Sequence, residues 1–114
     1  MKPLLIVMSA PSGTGKTTLC DRLLQYYPEI TYSVSCTTRE PRGDEEDGVD
    51  YFFVTPAEFE RRRASRLFLE HATVHGNRYG TLRGPVEEAM AEGQSVLMDI
   101  DVEGAGQVRA FVEA

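Results

Sequence analysis

The chain has 114 residues, which suits one domain with a modest core rather than two ordinary domains. Twelve basic residues stand against eighteen acidic ones, a formal charge of -6, which argues against nonspecific attraction to a nucleic-acid backbone; any anionic ligand must be held by positive charges gathered locally. Cys20 and Cys36 have neither the density nor the spacing of a disulfide framework or a zinc site and read as reduced thiols, and no apolar run is long enough to span a bilayer.

Met1-Lys2-Pro3-Leu4 leads straight into an apolar run rather than a cleavable leader, so a cytoplasmic setting is the default expectation. Leu4 to Ser9 is continuously apolar at strand length, the pattern of a strand covered on both faces in a parallel sheet, and it is expected deep in the fold. From Lys16, the positions Leu19, Cys20, Leu23, Leu24 and Tyr27 recur at helical spacing until Pro28 stops the helix. Residues 31 to 38 are rich in branched and small side chains and read as one second strand. The stretch Arg39 to Asp50, with Pro41, Gly43, Gly48 and a run of acids, reads as a solvated loop leading into a short strand, Tyr51 to Val54.

Thr55-Pro56-Ala57-Glu58 is a helix-start signature, with a threonine cap, a proline at the first helical position and a glutamate after them; the helix is expected to run to about Ser65. Leu67 to Val74 reads as a strand, and Gly76-Asn77 as a hairpin turn before Arg78-Tyr79-Gly80-Thr81. Pro85 to Glu92 has helical spacing and ends at Gly93, a natural left-handed stop. Gln94 to Asp101 is an apolar strand closing on paired acids, and Ala105 to Ala114 opens a further helix.

Between the first strand and the first helix stands Ser9-Ala10-Pro11-Ser12-Gly13-Thr14-Gly15-Lys16-Thr17-Thr18. Gly13 and Gly15 allow backbone conformations in which consecutive N–H groups converge on phosphate oxygens at a helix N-terminus, where the dipole favours negative charge. Lys16 then neutralises the outer phosphates, and the Thr17 hydroxyl suits Mg2+, which takes hard oxygen ligands. Ala10 stands where the strict phosphate-loop motif has its first glycine, a small departure. The segment therefore points to a nucleoside triphosphate.

The spacing Thr37-Thr38-Arg39, Arg42, Glu45, Gly48, Tyr51, Phe53 closely resembles the signature of guanylate kinases. Phe68-Leu69-Glu70-His71-Ala72, Gly76-Asn77-Arg78-Tyr79-Gly80-Thr81 and Leu97-Met98-Asp99-Ile100-Asp101 resemble further segments of that family in the same order. The resemblance covers essentially the whole chain. It implies an α/β fold, a P-loop parallel-sheet core (residues 1–32 and 83–114) carrying an inserted, mostly antiparallel GMP-binding module (33–82). It also implies a C-terminally incomplete chain, since family members continue through further core strands and an arginine-bearing lid, with catalysis weakened accordingly. In that topology the strand at Leu4 to Met8 is left as an open apolar edge, a route to self-association.

The activity implied is transfer of the terminal phosphate of ATP to GMP, with Mg2+. A monophosphate dianion calls for planar bidentate cations, which Arg39 and Arg42 provide; by resemblance Tyr51 and Tyr79 add hydroxyl donors. Guanine offers a ring N–H and an amine side by side, which one carboxylate accepts together, and Glu70 matches the family residue in that role. Ser35 and Thr81 resemble the family's hydroxyls that donate to the guanine carbonyl. Asp99 and Asp101 end a strand where open α/β sheets place ligand chemistry, with residue 100 turned into the core. By resemblance Asp99 approaches the acceptor guanine, and Asp101 holds a metal-bound water or orients the site. Two other readings stay open: a noncatalytic guanylate-kinase-like module binding phosphorylated peptides, and a P-loop kinase for another small phosphate ester.

Overall fold

The computed structural model describes residues 3–8, 16–100 and 104–108, the side chains of 16–19 excepted. Among the described residues seven strands build two sheets. β1 (Leu5–Met8), β2 (Thr31–Tyr32) and β7 (Val96–Asp99) form a parallel sheet in the order β1-β7-β2, with Leu5 opposite Val96 and Met8 opposite Asp99. β3 (Cys36–Thr37), β4 (Phe52–Phe53), β5 (Phe68–Val74) and β6 (Asn77–Leu82) form a second sheet in the order β4-β3-β6-β5. Its β3–β6 and β5–β6 pairs are antiparallel and its β3–β4 pair is parallel. Among the described residues the helices between these strands are α1 (Lys16–Tyr26), α2 (Pro56–Ala64) and α3 (Arg83–Ala91). Residues 104–108 are helical.

The stretch 31–38 divides between the two sheets instead of forming one strand. Thr31–Tyr32 pair with β7, and Cys36–Thr37 with β4 and β6. Composition cannot reveal this break, because both halves carry the branched residues that suit any strand. β1 is half-buried along its whole length rather than deep, because among the described residues it is the sheet edge; the strand buried on both faces is β7, with Val96, Leu97 and Met98 almost wholly enclosed. A continuous apolar run specifies capacity for burial, and neighbours decide which run receives it.

α2 starts as its sequence requires. The Thr55 hydroxyl accepts the Glu58 N–H at 3.1 Å and Pro56 occupies the first turn, where its missing N–H leaves no bond unmade. α3 ends with Gly93 at φ 84°, whose N–H reaches the Met90 carbonyl. The β5–β6 hairpin turns on His75 and Gly76, with φ of 51° and 80°, one residue earlier than the glycine-asparagine pair indicates. Two consecutive positive φ angles make the tight turn whose twist matches the strands, and Gly76 takes the second.

Two cores result. Val96, Met98 and Ile100 of the β7 region pack with Leu69, Val86, Ala89 and Val108, while Cys36, Phe59 and Phe68 fill the space between the second sheet and α2. Ile100 is thus turned inward, as alternation requires. Adjacent residues of β5, Phe68 and Leu69, feed different cores, so this strand joins the two halves of the molecule. Gly80 is part of the second core: a Cβ there would lie 2.8 Å from the Phe68 ring.

Candidate functional site

The segment that resembles a monophosphate-binding signature is held in place by its two threonines. Thr37 Oγ1 donates to the Arg78 carbonyl at 3.0 Å and accepts the Arg39 N–H at 3.3 Å, and Thr38 Oγ1 accepts the Arg78 N–H at 3.0 Å. The start of the Arg39 loop is therefore stapled to β6 beside Tyr79. Arg39 has a side-chain exposure of only 8% and meets Glu45 fork to fork, Nη1 to Oε1 at 2.7 Å and Nη2 to Oε2 at 2.8 Å. Nη1 also donates to the Glu40 carbonyl at 2.9 Å. Its guanidinium carbon lies 5.0 Å from the Tyr51 ring centre and 6.0 Å from that of Phe53.

This pairing shifts both partners. The hydrogen bond from Arg39, reinforced by the Arg42 N–H, lowers the Glu45 carboxyl from its ordinary 4.5 to about 2. The Arg39 charge is held more firmly than usual, by Glu45 foremost and with help from Tyr79. Arg42 joins through its backbone, whose N–H donates to Glu45 Oε1 at 2.8 Å, while its side chain lies exposed beside the loop. Glu45 thus organises the whole arginine loop. The residue is part of the signature, and its spacing alone does not announce this role.

The rest of the acidic stretch is structured rather than merely solvated. Asp50 accepts the Glu46 N–H and Asp47 the Phe53 N–H, each at 2.8 Å. Gly48 turns back at φ 82° to donate to the Tyr51 carbonyl at 2.7 Å. These bonds fold the loop so that Tyr51 stands edge-on to Tyr79, ring centres 5.9 Å apart. Burial, and after it the neighbouring Tyr79, raise the Tyr51 hydroxyl above its ordinary value, so Tyr51 keeps its proton and remains a donor.

At the other end of the second sheet Glu70 is 3% exposed and accepts from Thr81 Oγ1 at 2.7 Å. A β-bulge makes this pairing: Phe68 faces Leu82 and Glu70 faces Thr81, leaving Leu69 as the extra residue on β5. Thr81 has one hydroxyl proton and gives it to Glu70, so in this arrangement it fixes the carboxylate and presents lone pairs, not a donor, to a ligand. Ser35 is buried at the start of the same sheet, its carbonyl accepting the Phe52 N–H at 2.9 Å.

A cleft of about 330 Å³ takes in only part of this set: Glu45, Tyr51 and Asp99 line it, whereas Arg39, Arg42, Tyr79, Glu70, Thr81 and Ser35 do not. Its walls include Cys20 and Asp21 of α1, Tyr32 of β2, Glu45 and Tyr51 of the arginine loop, and Asp99 at the end of β7. Burial, and next the charge of Asp99, raise the Tyr32 hydroxyl well above its ordinary value, so it stays protonated in the cleft. Tyr32 and Asp21 line the cleft although neither lies in a motif. Lys16, Thr17 and Thr18 lie in the first turn of α1, directly after the segment that leaves the C-terminal end of β1. Ser9, Ala10, Pro11, Ser12, Gly13, Thr14 and Gly15 fall outside the described residues, as does Asp101.

The family profile for guanylate kinase matches residues 2–113. The chain is 55% identical over 107 residues to the guanylate kinase of Anaeromyxobacter dehalogenans, covering 94% of this chain and 47% of that protein. It is 56% identical over 108 residues to the guanylate kinase of Symbiobacterium thermophilum, covering 95% and 51%. The crystal structure of guanylate kinase from Anaplasma phagocytophilum superimposes with a TM-score of 0.84 at 36% identity, covering 97% of this chain and 55% of that one. The chain spans about half the length of the curated relatives it matches. With the motifs, the two-sheet fold and these matches in agreement, the chain belongs to the guanylate kinase family.

Proposed function

We propose that this chain carries the nucleotide-binding half of an enzyme that transfers the terminal phosphate of ATP to GMP, giving ADP and GDP. Its main support is a cleft whose walls bring Cys20 and Asp21 of α1 together with Glu45 and Tyr51 of the arginine loop and Asp99 at the end of β7. Donor and acceptor groups must share one space for phosphoryl transfer, which asks a protein mainly for positioning and charge stabilisation.

In this proposal residues 33–82 form the GMP module between core segments 1–32 and 83–114. Arg39, Arg42, Tyr51 and Tyr79 hold the acceptor phosphate, and Glu70, Ser35, Thr81 and Asp99 hold guanine. Thr81 acts by fixing Glu70, which accepts the ring N–H and amine. Residues 9–18 cradle ATP, with Lys16 on its outer phosphates and Asp101 orienting the site. Thr17 lies in the first turn of α1, and a threonine hydroxyl has the hard-oxygen chemistry that would suit Mg2+. Held there, Mg2+ would supply charge neutralisation at the terminal phosphates. No general base is needed, because the acceptor is already an anion at neutral pH. Among the described residues no helix is long and apolar enough to cross a membrane; a cytoplasmic setting belongs to the proposal.

The test is ADP release from ATP with GMP, AMP, CMP and UMP offered in parallel. GMP should be the preferred acceptor, and Lys16→Ala should abolish the reaction. Preference for another acceptor, or for a base-free sugar phosphate, would contradict the reading.

A further inference from the structure

Strand β5 is the edge of the second sheet, and at His71 its outward-facing backbone groups are both taken by one side chain from far along the chain. Gln107 Oε1 accepts the His71 N–H at 2.9 Å, and Gln107 Nε2 donates to the His71 carbonyl at 2.6 Å. The carboxamide thus stands in for one residue of a neighbouring strand and closes this position of the edge.

Three features give the contact a consequence at the site. His71 directly follows Glu70, and both follow the bulge at Leu69, where the ladder is already interrupted. Strand side chains alternate faces, so if the extra residue were lost, a one-residue slip would turn the Glu70 carboxylate to the other face and away from Thr81. Gripping the backbone at His71 resists that slip at the first residue beyond the irregularity. Finally, Val108, next to Gln107, is 3% exposed within the core built on Val96, Met98 and Ile100. The clamp therefore ties the strand bearing Glu70 to the core around β7, whose last residue is Asp99.

We infer that Gln107 is a specificity-determining positioning residue: its carboxamide holds β5 in the bulged register that aims Glu70 at the amine edge of the acceptor purine. The inference rests on the proposed role of Glu70. Gln107 itself touches the strand and not the ligand.

The experiment is equilibrium titration of the 114-residue chain with GMP and with IMP, which lacks the purine amine, for the native sequence and for Gln107→Leu. Native protein should prefer GMP by about tenfold or more, the scale of one or two hydrogen bonds to a charged acceptor. Gln107→Leu should lose most of that preference, through weaker GMP binding with IMP affinity changed less than about twofold. A general structural role would weaken both ligands together, and that result, or an unchanged preference, overturns the inference. Native protein that does not favour GMP over IMP overturns the role of Glu70 itself, which separates the two failures. Should Gln107→Leu not fold, hydrogen exchange of the native chain decides: GMP must slow exchange at the His71 amide more than IMP does, and equal slowing overturns the clamp.

Discussion

Arg39 and Glu45 meet through two parallel hydrogen bonds of 2.7 and 2.8 Å, so the guanidinium that the family signature directs at an anion already faces a carboxylate. Glu45 holds the Arg39 fork at a fixed angle over Tyr51 and at the same time holds the Arg42 backbone. The planar fork is what makes this possible, and a lysine could offer only a point charge. Arg39→Lys should therefore weaken GMP binding by about tenfold to a hundredfold even though the charge is kept. Titration calorimetry checks this, and an affinity within twofold of native would show that the fork is not used.

The same pair sets a pH dependence. The Glu45 carboxyl is lowered from 4.5 to about 2 on folding, so the unfolded chain takes up a proton more readily than the folded one. The stabilisation is fully present above about pH 4.5 and is lost as pH falls toward 2. Glu45→Gln should lower the thermal midpoint at pH 7, and the gap from native should close across that window. Melting curves from pH 7 to 2.5 measure it; a constant gap would mean the pair contributes nothing through charge.

Gly80→Ala tests the link between core and site. The added methyl group would stand 2.8 Å from the Phe68 ring, in a core that Phe59 closes from the other side at 3.2 Å. Overpacking of this kind costs about 1 to 3 kcal/mol. Because Phe68 precedes the bulge, the variant should also weaken GMP binding; a stable variant with unchanged affinity would show that the bulge tolerates the shift.

Among the described residues the outer edge of β1 carries no strand partner, and Leu4 beside it is 59% exposed. Unpaired edges invite pairing with other chains. Sedimentation at rising concentration should show self-association, and Leu4→Lys should reduce it. A monomer at the highest concentration would contradict this expectation.

Local chemistry was legible where one segment decides the outcome. Thr55, Pro56 and Glu58 start α2, and Gly93 ends the turn after α3, because caps and left-handed stops act within a few residues. The arginine signature was legible too, whereas the task of Glu45 emerges only in the folded loop. Distant pairing decided what was missed. The break between Tyr32 and Cys36 depends on two different sheets, and the half-burial of β1 depends on which strand takes the centre. The bulge at Leu69 and the Gln107 clamp join residues that no periodicity connects.

The proposed GMP site has two poles, arginine and tyrosine for the phosphate and Glu70 for the base. Parallel titrations with GMP, guanosine and AMP test it most directly, since guanosine lacks the first contact and AMP the second. GMP should bind more tightly than either by about tenfold or more. Equal affinity for all three ligands would contradict it.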